Sequence, residues 1–198
     1  MGKLEHRKLL KACLSGNNEA FKEMYDIFSQ DMFKVCCMYA PDTDTANDFL
    51  QDGFIKVFQN LHKYQPSGSL GGWIRRVIVN SCIDNIRRDH WSKIMTSFEE
   101  QEIDITEIYN DSDFENELNS RTFFEITNEL PVGYRTILNL YFLEEYTHKE
   151  IGELLCISDG TSKSQLFKAK RYLKEVLLKS LTLEEIEFYV GRLVKEVV

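Results

Sequence analysis

The chain has 198 residues, 43% of them hydrophobic and 12% aromatic, with only three prolines and ten glycines. That length favours one or two domains with packed cores, and so little turn chemistry argues against an all-β fold and for helices. The net charge of −8 would by itself oppose nucleic-acid binding, which requires neutralised phosphates.

The distribution of charge reverses that inference. Between Phe98 and Leu118 lie nine acids (Glu99, Glu100, Glu102, Asp104, Glu107, Asp111, Asp113, Glu115, Glu117) and neither Lys nor Arg; the remainder carries +1. Trp73 to Lys93 holds five Lys/Arg against two acids, and Ser158 to Lys179 six against two. Segregation of this kind points to basic faces joined by an acidic strap. No window holds 18 consecutive apolar residues, and the charged stretch Met1–Leu14 lacks the apolar run of a signal peptide. A cytoplasmic protein without membrane insertion is expected.

Cys13, Cys36, Cys37, Cys82 and Cys156 form no C-x-x-C pair and are odd in number, as reduced thiols would be. His6, His62, His90 and His148 form no H-E-x-x-H or other ligand cluster, and no nucleophile–base pair stands out. No metal, cofactor or catalytic residue is expected.

Residues 1–92 form a first block of several helices. Asn17-Asn18 before Ala20-Phe21 predicts a helix start, Pro41-Asp42-Thr43-Asp44 a turn into the next helix, and Gln65 to Ser69 a loop between two more. At 100° per residue Ala46, Leu50, Gly53, Phe54, Val57 and Leu61 make one apolar stripe. Asp48, Gln51, Asp52, Ile55 and Gln59 fall on the opposite side, where an isoleucine among acids and amides has the make-up of a partner surface with a polar rim. A lone exposed Ile is the plainer alternative.

On the following helix Leu70, Ile74, Val77, Ile78 and Ser81 point one way, and Trp73, Arg76, Asn80, Asp84 and Arg87 another. An exposed indole beside guanidiniums and an amide suits a single-stranded base: a π-face to stack on, cations for phosphate, an amide for a base edge. The alternative is a partly buried Trp with solvated pairs between Asp84 and Arg87 or Arg88. The glycine-rich loop ahead of it lacks a following G-K-[ST] and so is no P-loop; a pocket for an extruded base is the sharper reading.

Residues 93–119 are predicted to be an acidic, flexible linker. Residues 120–180 make a second block. In it Thr147 and Glu150 form a capping box, Gly152 allows a close crossing, and Ser158 caps a new helix three residues past Leu155. A turn this tight between two helices defines a helix-turn-helix, whose second helix suits a major groove. Leu166, Leu173 and Leu177 set its core face, leaving Ser162, Lys163, Gln165, Lys168 and Arg171 mostly outward for phosphates and base edges. A solvated helix on a non-binding bundle is the alternative. In the tail, 181–198, a second capping box (Thr182, Glu185) with Ile186, Leu193 and Val197 predicts a terminal helix packed on its own domain. The expected architecture is therefore all-α: two small helical domains joined by an acidic flexible linker, the second a helix-turn-helix.

Three motifs in order resemble the extracytoplasmic-function (ECF) group of the sigma-70 family. Ala46-Asn47-Asp48-Phe49-Leu50-Gln51-Asp52-Gly53-Phe54-Ile55-Lys56-Val57-Phe58 is similar to the family's polymerase-gripping helix. Trp73-Ile74-Arg75-Arg76-Val77 with Asn80 and Ile83-Asp84-x-x-Arg87-Arg88 is similar to its minus-ten helix. Leu130-Pro131-x-x-Tyr134-Arg135, Glu150-Ile151-Gly152 and Gly160-Thr161-Ser162-Lys163-Ser164-Gln165-Leu166-x-Lys168-Ala169-Lys170 resemble its minus-35 helix-turn-helix.

The resemblance implies a non-enzymatic subunit that directs bacterial RNA polymerase core to promoters and starts transcription. Its partners would be polymerase core, promoter DNA as duplex and melted strand, and an anti-sigma factor. It assigns docking to Asp48, Gln51, Asp52, Ile55 and Gln59. Minus-ten contacts fall to Trp73, Arg76, Asn80, Asp84, Arg87 and Arg88, and minus-35 contacts to Thr161, Ser162, Lys163, Gln165, Lys168 and Arg171. The linker would thread the nucleic-acid channel as a mimic of a phosphate chain. Cys156 stands where the family often has Gly, Ser162 where Val is usual and Gln165 where Arg is usual; Gly71-Gly72 before the Trp is a further departure. A helix-turn-helix regulator acting without polymerase is the rival reading. It would leave the face of Asp48, Gln51 and Ile55 without a purpose.

Overall fold

The computed structural model describes residues 3–65, 68–89 and 129–180, without the side chains of 3–5, 89 and 174–180. The expected linker 93–119, the tail helix in 181–198 and the Leu177 side chain lie outside these. The chain divides into two compact units, one within residues 1–90 and one within 91–198. No strand occurs among the described residues, as the sparse Pro and Gly content predicts, and none of their helices is long and apolar enough to cross a membrane.

Among its described residues the first unit has four α-helices: α1 (Lys3–Leu14), α2 (Asn18–Tyr39), α3 (Thr43–Asn60) and α4 (Leu70–Asp89). Each boundary has a local cause. Gly16 takes φ +82 to end α1, a left-handed turn that glycine adopts without a Cβ clash. Asn17 then caps α2, its Oδ1 accepting from Glu19 N at 2.8 Å and Ala20 N at 3.2 Å. Ala40 is extended ahead of Pro41, as a residue before proline prefers. Asp42 caps α3, accepting from Thr45 N at 2.8 Å, and that bond holds its carboxyl below the usual range.

The predicted stripe on α3 is the buried one: Ala46, Leu50, Gly53, Phe54, Val57 and, just beyond the helix, Leu61. It packs on α4, where Ile74, Ile78, Val79, Cys82, Ile83 and Ile86 are at most 2% exposed. Each of the isoleucines and the valine contributes roughly 1.5–3 kcal/mol of hydrophobic free energy. The helices meet at Gly53, where a Cβ would overlap Ile78 Cδ1. From α2, Met24, Val35, Cys36 and Tyr39 complete the core.

Among the described residues the second unit begins with α5 (Val132–Leu138), which follows Pro131 and widens into a π turn over Asn139–Leu143 closed by Glu144 N donating to Asn139 O at 3.1 Å. Next come α6 (His148–Leu155) and α7 (Asp159–Ser180). The capping box at α6 forms as predicted: Thr147 N donates to Glu150 Oε2 at 2.8 Å, and Glu150 N donates to Thr147 Oγ1. Ser158 caps α7 through Thr161 N at 2.9 Å. The close approach at Gly152 is to the turn itself rather than to a crossing helix: a Cβ there would lie 2.8 Å from Ile157 O.

Cys156 adopts φ 56 and ψ 42, the left-handed conformation expected for a residue in the place of a helix-ending glycine. For a residue bearing a Cβ this costs roughly 1–2 kcal/mol, part of which glycine's larger unfolded-state entropy would offset. Cys156→Gly is therefore expected to stabilise the second unit by about 0.5–1 kcal/mol. A thermal melt checks it; a lowered midpoint would contradict the strain.

Candidate nucleic-acid and polymerase-docking surfaces

On α3 the stripe that faces α4 leaves Asp48, Gln51, Ile55 and Gln59 exposed on the other side, and Ile55 is 53% exposed. Asp52 differs. It is half-buried and its Oδ2 accepts from Asn85 Nδ2 of α4 at 3.1 Å. The face thus offers one large apolar side chain ringed by two amides and a free-standing acid, with a second acid tied back to the domain.

On α4 the Trp73 indole is half-buried, because the Tyr64 ring packs on it with centroids 5.6 Å apart at 59°. Tyr64 is itself held by its hydroxyl, which donates to Gly68 O at 2.8 Å across the loop. Ser69 caps the helix, its Oγ accepting from Gly72 N at 3.0 Å. The two glycines after Leu70 have steric reasons: a Cβ on Gly71 would come within 3.3 Å of the Phe28 ring, and one on Gly72 within 2.9 Å of Ser69 Oγ. Arg76, Asp84, Arg87 and Arg88 are exposed, and Asn80 is half-buried, its Oδ1 buried without a partner among the described residues.

Asp84 is engaged rather than open. Lys56 Nζ lies 2.9 Å from its Oδ2 and Arg87 Nη1 3.8 Å from its Oδ1. Lys56, an α3 cation outside the predicted set, thereby joins the α4 face.

On α7 the outward set needs correction. Ser162 is fully buried and Gln165 is 4% exposed. The buried stripe runs Ser162, Gln165, Leu166, Ala169 and Leu173, at spacings of 3, 1, 3 and 4 that keep to one helical face. Ser162 lies one turn before Leu166 and Gln165 one turn before Ala169, so both fall on the buried side. Ser162 Oγ sits 3.0 Å from His148 Nδ1, and His148 stacks on Tyr141 with centroids 5.0 Å apart. These contacts fix the rotation of α7, so neither residue is presented to a groove.

Lys163 and Arg171 are exposed, and Thr161 and Lys168 half-buried. Between the two exposed cations, one turn from each, stands Phe167 at 36% exposure. The sequence reading missed it, although its four-residue spacing from Lys163 and Arg171 was there to be counted. Lys163 pairs with Asp159 at 2.9 Å, but both side chains are at least half exposed and such a pair contributes little. Among the described residues no cluster of His, Cys, Asp and Glu could hold a metal ion.

Fold and surfaces together define a helix-turn-helix protein with a second helical unit carrying cations and a half-open indole on one helix. Residues 24–92 match the Sigma-70 region 2 model and residues 121–173 the Sigma-70, region 4 model. The chain belongs to the sigma-70 family of RNA polymerase sigma factors, in its ECF group.

The ECF RNA polymerase sigma factor SigW of Bacillus subtilis is 25% identical over 86% of this chain and 96% of its own length. SigM of the same organism is 28% identical over 77% of this chain and 91% of its own length. Among solved structures, the sigma factor RpoE of Bartonella quintana, in complex with the anti-sigma factor NepR, is 17% identical with a TM-score of 0.47, covering 81% of this chain and 98% of that one. Sigma factors are transcription regulators that direct polymerase to promoters, and are not enzymes.

The buried amide of Gln165, whose Oε1 has no partner among the described residues, generates a stability prediction. Gln165→Met keeps the volume and removes an unsatisfied polar atom, so the second unit is expected to melt at or above the wild-type temperature. A fall of several degrees would mean that the amide is bonded after all.

Proposed function

We propose that this sigma factor divides promoter recognition among three helix faces. The exposed part of α3 (Asp48, Gln51, Ile55 and Gln59, with Asp52 at its edge) holds polymerase core, Ile55 supplying the buried apolar contact and the polar residues the rim. The outward row of α7, with Thr161, Lys163, Lys168 and Arg171, grips the minus-35 duplex. Its lysines and arginine neutralise phosphates or reach guanine edges, and Phe167 between them can meet a thymine methyl.

The α4 face opens the minus-ten region. Trp73, with one side braced by Tyr64, presents the rest of its indole to an unstacked base; Arg76, Arg87 and Arg88 neutralise phosphate, and Asn80 reaches a base edge. Asp84 serves by orienting Arg87 and Lys56 rather than by touching an anion it would repel. The acidic linker, residues 93–119, lies in the cationic channel as a stand-in for nucleic acid until the transcript displaces it. Family membership also brings in an anti-sigma factor as the partner that would cover these faces at rest.

The observation that carries this reading is the pairing of a braced, half-open indole with three exposed guanidiniums on α4. A duplex-binding regulator has no need of an aromatic platform for unpaired bases. Run-off transcription with core polymerase over a promoter library tests it; no defined start site on any template would end the proposal.

The three faces should fail separately. Trp73→Ala is expected to leave duplex binding within about twofold but to cut permanganate-detected strand opening about tenfold, the loss of one stacked base. Lys163→Ala should weaken promoter binding at all sequences and lower the salt slope by about one. Asp48→Arg should weaken core binding while leaving the melting temperature unchanged. If Asp48→Arg binds core normally, the docking face is elsewhere.

A further inference from the structure

Two polar links join α3 to α4 and run side by side. In one, Lys56 holds Asp84, which lies near Arg87. In the other, Asp52 Oδ2 accepts from Asn85 Nδ2 at 3.1 Å, and Asn85 Oδ1 accepts from Arg88 Nη2 at 3.1 Å. Burial separates them. The Lys56 and Asp84 side chains are 37% and 57% exposed, where an ion pair contributes little. Asn85 is 4% exposed, and a buried amide needs partners at both ends.

Those partners differ in kind. One is a carboxylate at the edge of the α3 docking face, the other an exposed guanidinium on the α4 promoter face. Asn can donate to the first and accept from the second at once. Asp in its place would set two carboxylates against each other, and Leu would leave neither bond.

We propose that Asn85 is a positioning residue that couples polymerase docking to promoter contact: it fixes the Arg88 guanidinium while its own amide is anchored by Asp52. A polymerase group engaging the other oxygen of Asp52 restricts that carboxylate, hence the amide, hence Arg88. By linkage, promoter contact at Arg88 also strengthens docking. The inference rests on the docking role of Asp52 and the promoter role of Arg88 proposed above.

The test uses the full chain assembled with saturating core polymerase, scored by permanganate reactivity of the open complex. Arg88→Ala and Asn85→Leu are each expected to lower opening about tenfold, the scale of one charge-assisted hydrogen bond. The double variant should lose no more than about tenfold, because both changes remove one interaction. Losses that multiply to about a hundredfold overturn the coupling while leaving Arg88 on the promoter face.

No effect of Arg88→Ala overturns both the promoter role and the coupling. Because Asn85→Leu risks misfolding, a reversed pair provides a second arm. Asn85→Asp alone should reduce opening. Adding Asp52→Asn restores an amide-to-carboxylate bond and keeps a carboxylate beside Arg88, returning opening to within about threefold of wild type. A failure of that rescue in a folded, core-bound protein also overturns the proposal.

Discussion

The close crossing of α3 and α4 at Gly53 and Ile78 is the constraint on which the rest of the first unit depends. A Cβ at residue 53 would overlap the Ile78 side chain, so glycine there sets the distance between the two helices. That distance brings Asp52 within reach of Asn85 and Lys56 within reach of Asp84. It also decides, by burying one side of each helix, which side each can offer. The exposed face of α3 and the cationic face of α4 are consequences of one packing contact.

The second unit is governed by a comparable constraint at its turn. Gly152 admits the Ile157 carbonyl, Cys156 takes a left-handed conformation, and Ser158 restarts the helix at once. The short turn leaves α7 little freedom of direction. Its rotation about its own axis is then fixed by Ser162 against His148 and by the aliphatic stripe of Leu166 and Leu173. Lys163, Phe167 and Arg171 emerge as a row because the opposite side is committed. An apolar ring between two cations is a reasonable composition for a groove that shows both phosphates and thymine methyl groups.

The overall negative charge ceases to be a paradox when the surfaces are taken separately. The exposed cations of α4 and α7 belong to stretches that are locally basic, and the nine acids between Phe98 and Leu118, a segment without Lys or Arg, account for the whole negative balance. Electrostatic attraction to nucleic acid depends on such local fields more than on net charge, because screening at physiological salt limits them to about 8 Å.

Several helix starts could be read from the residues alone, since they depend on neighbours in sequence; the short helix Val132–Leu138 and the π turn after it could not. Asn17, Asp42, Ser158 and the Thr147/Glu150 box cap where a short polar side chain meets a free N–H, and the α3 stripe follows from period alone. The family motifs were legible for the same reason: order and spacing are properties of the chain. Tertiary structure decided the rest. Ser162 and Gln165 are polar and looked outward, yet Ser162 packs against His148 and both are buried on the side of Leu166, Ala169 and Leu173, because a helix's rotation is set by all its contacts and not by its leucines alone. Asp84, Asp52 and Trp73 could be placed on faces, but not given their partners Lys56, Asn85 and Tyr64, which come from positions 28, 33 and 9 residues away. Such pairings depend on how two elements cross, and no local rule of sequence contains that distance.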